Sequence, residues 1–219
     1  MTELIHWWLS VWLWVTTAIG IAFVVHIARK WNTWGWGDRL TSITVVWLVA
    51  HVWEEWVLPG GFHFIYNGDS ANPDRYPMSE LTDMVTNFGL IVIPMLMLLR
   101  WGARTVGPIA AMFFCLLEVG AHIQLAFRSL DEFGDRGQTL WYAPGLVTAL
   151  IGYLPLLIAL IVYLVRTRPR PTWKQWIAGF LMFAAFIAVF IFGAESLLKD
   201  PNSPYPYPNH GYYDQFVGK

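Results

Sequence analysis

Charge is scarce in this chain. Of its 219 residues only 13% are Asp, Glu, Lys or Arg, about half the share of an ordinary soluble domain. Cysteine is nearly absent. Cys115 stands alone inside an apolar run, so a disulfide framework is excluded and the thiol says nothing of redox compartment. There is no basic patch, and a net charge of −1 gives nucleic acid no electrostatic footing, so no nucleic-acid partner is expected. The short alternating segments of a transmembrane barrel are missing as well. The opening Met1-Thr2-Glu3 lacks the basic region of a cleavable signal peptide, and the apolar run behind it is too long for one, so that run is read as a span.

What fills the chain instead is hydrophobic residues, 56% of the total, with 14 tryptophans and a mean hydropathy of +0.45. Six apolar runs fall at 5–28, 40–58, 81–100, 105–127, 143–165 and 174–198. Each is close to the ~20 residues that a helix needs to cross ~30 Å of hydrocarbon. Gly and Pro punctuate the joints, as in Trp34-Gly35-Trp36-Gly37, Pro59-Gly60-Gly61 and Pro169 with Pro171. The expected fold is all-α: a polytopic membrane helix bundle of about six transmembrane helices over residues 1–198. Residues 199–219 form a polar tail with four prolines and four tyrosines. Lacking a hydrophobic face, the tail is expected to be irregular and dispensable for insertion.

Orientation follows from the basic residues. The joints 29–39, 101–104 and 166–173, with the adjoining helix ends, carry nine Lys or Arg, including Arg29-Lys30 and a cluster over 166–174. The opposite face, with both termini and the loops 59–80 and 128–142, carries five. Lys and Arg prefer the cytoplasmic side, so both termini are expected outside, in a multi-pass protein of the cytoplasmic (inner) membrane.

Ionisable groups inside spans are costly and normally face the bundle interior with partners. Here they gather. The second span carries His51, Glu54 and Glu55 at i, i+3, i+4, on one side of a helix. The fourth carries Glu118 and His122, again i, i+4. Both spans run outward, and counted from their starts these residues lie ~17–26 Å along. Asp83 and Asn87 in the third span, Thr148 in the fifth, Glu195 in the sixth and His6 in the first fall toward the same end. His26 is the exception; beside Arg29 in a last helical turn it reads as structural.

Imidazole nitrogen and carboxylate oxygen suit zinc, iron or manganese. A divalent metal, zinc or iron, as one or two ions, would neutralise carboxylates that otherwise repel one another or take up protons. The expected ligands are His51, Glu54, Glu55, Glu118 and His122, with Glu55 also the residue that moves protons. Two alternatives stand beside this one: an acid cluster for proton handling or substrate binding, and structural His–Glu pairing. The outer halves of these spans hold no arginine to neutralise three glutamates. Cys115, one turn before Glu118, reads as a packed thiol. His63, after the Gly-Gly turn, is a loop histidine able to fold over the site, and His210 in the tail is given no role.

His51-Val52-Trp53-Glu54-Glu55, followed by Pro59-Gly60-Gly61-Phe62, resembles the signature of the HXXEE-domain family of small integral membrane proteins. Asn87, His122 and the run Pro144-Gly145-Leu146-Val147-Thr148 are similar to later features of that family, so the resemblance covers roughly residues 40–165. It implies a membrane enzyme or metal binder without naming a reaction. It reaches His51, Glu54, Glu55, Asn87, His122 and Thr148; Glu118 rests on spacing and depth alone.

The leading expectation is a metal-dependent membrane enzyme acting on a lipid-like or small apolar substrate, with the site toward the outer leaflet. The other is a non-catalytic subunit of a larger membrane protein complex. A transporter is disfavoured by the missing repeats, although Pro94 and Pro155 interrupt the third and fifth spans. The orientation has a direct check. Ser70→Cys and Asp135→Cys should react with an impermeant thiol reagent in intact cells. Labelling only after lysis would reverse the topology.

Overall fold

The computed structural model describes residues 2–217, and those residues contain helices and no strand. The helices are α1 (Thr2–Lys30), α2 (Trp36–Trp56), the short α3 (Phe62–Asn67), α4 (Glu80–Trp101), α5 (Val106–Phe133), α6 (Leu146–Arg166) and α7 (Trp173–Leu198). Their starts follow local chemistry. The Ser79 hydroxyl accepts the Thr82 amide at the head of α4, and Thr172 with Gln175 forms a capping box before α7. At its far end α4 stops at Gly102, whose φ of 66° cannot continue a helix.

Five helices, α1, α4, α5, α6 and α7, are long and apolar enough to cross a membrane. Large apolar side chains such as Trp7, Ile21, Leu96, Ile151 and Phe192 face outward, which lipid tolerates and water does not. α2 is the sixth helix of full length, at 21 residues. It is less apolar because it carries Asp38, Arg39, His51, Glu54 and Glu55. It also sits at the centre, packed on α1, α4, α5 and α6. Its polar groups therefore meet protein rather than hydrocarbon, and His51, Val52, Glu54 and Glu55 are all buried. Around it Trp12, Val52, Ile91, Cys115 and Leu160 form a solvent-free core.

Two helices contain a widened π turn. In α6 it spans Ala149–Tyr153, just before Pro155. Proline has no N–H to give to the preceding turn, so the regular ladder is broken there. In α7 the π turn spans Ile187–Gly193.

The tail is irregular apart from one short turn at Gly211–Gln215, and it straps one end of the bundle. The Tyr207 and Tyr212 amides donate to the carbonyls of Asp74 and Gly60 at 2.9 and 3.0 Å, and the Tyr205 carbonyl accepts the Glu80 amide at 3.1 Å. Tyr205, Tyr207, Tyr213 and Phe216 are buried. The Tyr213 ring joins Phe133, Ile65 and Phe216 in a second core, and its hydroxyl donates to Ser129 at 2.9 Å. Backbone meets backbone where Gly211 lies on Gly60 and Gly61; a Cβ at any of the three would strike main chain. The tail's burying surface consists of tyrosines spread along an irregular stretch of chain, with no helical stripe to reveal it in the sequence.

Each buried aromatic ring contributes about 1.5–3 kcal/mol, and a whole domain is stable by only about 5–15 kcal/mol. Removing residues 203–219 should therefore abolish the folded monomer in detergent. Survival of a monodisperse, thermally cooperative truncation would show that the strap is ornamental.

Candidate metal centre

α2 and α5 run side by side and place two histidines and two glutamates in a closed, alternating ring. His51 Nε2 lies 3.4 Å from Glu55 Oε1 and 3.3 Å from Glu118 Oε2. His122 Nε2 lies 3.4 Å from the same Glu55 oxygen and 3.5 Å from the same Glu118 oxygen. His51, Glu55 and His122 are the tightest set, with ligand atoms all within 4.8 Å of one another. Glu118 adjoins that set through both imidazoles. The i, i+4 spacing on each helix explains the convergence, because each pair projects from one face toward the other helix.

The far side of each ring is already committed. His122 Nδ1 faces the Pro144 carbonyl at 3.1 Å; a carbonyl only accepts, so Nδ1 carries the proton. His51 Nδ1 meets Thr148 Oγ1 at 2.7 Å. That hydroxyl spends its own proton on Glu54 Oε2, 2.6 Å away, so it accepts from His51. In a neutral imidazole this commitment turns the Nε2 lone pair of each ring toward the two carboxylates. His51 Nε2, fully enclosed, has no hydrogen-bond partner. Spacings of 3.3–3.5 Å are too long for charge-assisted hydrogen bonds, which run at about 2.7–2.9 Å. Four of the six separations among these atoms thus fall near the ~3.3–3.6 Å between neighbouring ligands of an ion with 2.0–2.2 Å bonds.

Glu54 is not in this ring, which corrects its expected place among the ligands. A helix turns 100° per residue, so Glu54 faces sideways to α6. One oxygen accepts from the Tyr142 hydroxyl and the Val147 amide, both at 3.0 Å. The other accepts the Thr148 amide at 2.7 Å and the Thr148 hydroxyl. Four donors occupy it, and its charge sits on the N-terminus of α6, where the helix dipole favours it. Trp47 adds a second tie, its Nε1 donating to the Thr148 carbonyl at 2.9 Å. Gly145, at φ 93°, has no room for a Cβ because the His122 ring lies against it.

The supporting residues divide. Asp83, Asn87 and Glu195 line one cavity of about 430 Å³ together with His51, Glu55, Glu118 and His122. Asp83 accepts from Asn87 Nδ2 and from the Tyr207 hydroxyl, each at 2.6 Å. The Tyr66 hydroxyl donates to Glu195 at 2.6 Å. Thr148 acts from behind His51, as described. His63 does not reach the ring. It is buried and stacked on Tyr207 with centroids 3.6 Å apart, and burial with His210 nearby pushes its imidazole down to about 3. Cys115 is a buried free thiol near the Thr44 hydroxyl, as its packed reading requires.

Sequence reasoning missed Tyr142, Tyr153 and Tyr207. Tyr153 packs edge-on against His51 at 5.2 Å, and Tyr207 reaches Asp83 across 124 positions of chain. Neither has a periodic signal. The proximity of Tyr142 to the Pro144–Thr148 run is the one hint that was available.

A helical membrane bundle with a buried His/Glu ring between two of its helices is the class of protein that this fold and site define. The chain belongs to the HXXEE family, described as "Protein of unknown function with HXXEE motif", which matches residues 42–160. No curated protein and no solved structure matches it. The motif's three acid–base residues have two jobs here: His51 and Glu55 enter the ring, while Glu54 anchors α6.

The anchor can be tested apart from the ring. Glu54→Ala would leave several buried donors unpaired and should cost on the order of 3 kcal/mol in unfolding stability. The loss should be the same after chelator treatment, since the anchor needs no cation. An unchanged unfolding midpoint would refute it.

Proposed function

We propose that His51, Glu55 and His122, with Glu118, hold a divalent cation, zinc or iron, in a membrane enzyme acting on a lipid-like or small apolar substrate at the outer-leaflet side. The observation that carries this reading is the ring of two Nε2 atoms and two carboxylate oxygens at 3.3–3.5 Å, in which both imidazoles already spend Nδ1 elsewhere. Such a ring repels itself in a dry interior unless a cation or protons fill it. Two imidazoles and one carboxylate are a donor set of hydrolytic zinc centres and of non-haem iron sites, and both leave positions open. The bound cation would supply a Lewis acid that polarises an oxygen or activates water.

The protein's own groups do the rest. Pro144 and Thr148 fix which nitrogen of each imidazole faces the ring, the usual task of groups behind metal-bound histidines. The proton-moving role expected of Glu55 passes to Glu118. Both border the cavity, but Glu55 is enclosed in the tight set, whereas Glu118 is the more exposed carboxylate, at 14% against 7%. Leu117, Ile187, Ile191 and Phe192 line the same cavity and suit an apolar substrate.

Elemental analysis of the purified protein should find about one ion per chain for a three-ligand site. His51→Ala or His122→Ala should lose it, and Thr148→Val should weaken its binding roughly 10–100-fold through the His51 ring. Absence of metal from protein prepared without chelator, and failure to take up zinc or ferrous iron, would reduce the ring to structural pairing. Subunit membership would then be the stronger reading.

A further inference from the structure

α7 crosses the groove between α4 and α5 at a slant: its inner half packs on α5, its outer half on α4. Each half therefore leaves one side unfilled. The outer space is the cavity of about 430 Å³ at the ring, walled by α5 and the π turn of α7. The inner space, about 420 Å³, is walled by α4 at Pro94, Met97 and Trp101 and by α7 at Met182 and Phe186. Between them lies a neck of about 90 Å³. It shares Leu48 and Leu90 with the outer cavity, and Thr41, Pro94, Gly107 and Met182 with the inner one.

We propose that these spaces form one tunnel for a single unbranched hydrocarbon chain whose uncharged polar head sits at the His/Glu ring. The proposal rests on reading that ring as the reaction site. The neck offers a ligand nothing polar. Its two threonines return their hydroxyls to the carbonyls of Gly37 and Leu40. Gly107, Ala110 and Ala111 recur at i, i+3, i+4 on α5 and make the room. That room passes a chain and excludes fused rings or paired chains.

Length agrees as well. From His51 to Thr41 is ten residues of α2, ~15 Å, which is half of a ~30 Å hydrocarbon core and so the depth of one lipid chain. At the outer end the unpartnered, buried Nε2 of His51 points into the cavity. The head is uncharged because Glu55, Asp83, Glu118 and Glu195 all border that cavity, and one divalent cation at the ring would offset only two of these four carboxylates. Its one arginine, Arg128, is paired with Asp69 at 3.5 Å and Glu132 at 3.9 Å. A phosphate would meet net repulsion; a hydroxyl or carbonyl would not.

Equilibrium binding of radiolabelled hexadecanol and octanol to the full chain, transferred from detergent into an amphipathic polymer, tests this. Hexadecanol should bind more tightly. Ala111→Leu, or Met182→Trp as a second route to filling the neck, should weaken hexadecanol by roughly tenfold or more and octanol by about twofold at most, since only the longer chain loses buried methylenes. Equal effects on both alcohols, no effect on either, or tighter binding of hexadecyl phosphate would overturn the proposal. Metal content measured on the same samples separates the two readings. Chain-length discrimination in a protein that takes up no metal sinks the metal centre and keeps the tunnel. A metal-loaded protein that treats both alcohols alike keeps the metal centre and sinks the tunnel.

Discussion

Two imidazole nitrogens and two carboxylate oxygens face one another inside this bundle at 3.3–3.5 Å, with no arginine among them. In water such groups would turn to solvent; inside a membrane bundle they have each other and the cavity they line. Much of the surrounding architecture answers to that constraint. α2, the least apolar of the long helices, is placed where four other long helices pack on it and bury His51, Glu54 and Glu55. The start of α6 is folded back so that the Pro144 carbonyl and the Thr148 hydroxyl can hold the two imidazoles from behind. Gly145 is bare so that His122 can lie against the chain.

The His-x-x-Glu-Glu segment is compact because one helical turn serves two helices at once. Glu55 stands almost directly above His51 and faces α5, while Glu54, a residue earlier, faces α6. Thr148 closes the circuit. It takes a hydrogen bond from His51 and gives one to Glu54, so the anchor of α6 and the orientation of the ring histidine are one network. Such coupled buried networks fix geometry when every member is satisfied. Here the members on the α6 side are satisfied, and on the cavity side His51 Nε2 has no hydrogen-bond partner.

The tail and the slanted α7 define what reaches that side. Tyr207 brings a hydroxyl to Asp83 from the far end of the sequence and stacks on His63, laying aromatic surface beside the site. α7 closes the lipid-facing flank only in part, because it rests on α5 at one end and α4 at the other. A π turn at the crossing, where Ile187 and Ile191 meet the cavity, lets it change partner without breaking. The polar centre thus has aromatic surface beside it and apolar walls along its flank.

Hydrophobic runs, Gly–Pro joints and the i, i+4 pairs on α2 and α5 determined the helices, their approximate ends and the meeting of His51, Glu55, Glu118 and His122. These are local properties, since the pitch of a helix converts spacing directly into a shared face. Other assignments were beyond such reading. Whether Glu54 joins the ring or holds α6 depends on which neighbour packs 100° around the helix, and no spacing within α2 contains that neighbour. Tyr207 against Asp83, and Tyr213 in the small outer core, are contacts between distant parts of the chain made by a segment without periodicity. The cavity under α7 depends on a crossing angle between apolar helices whose sequences would allow many. Local pitch is written in residue order; partner choice is settled by packing of the whole chain, and that only the tertiary structure decided.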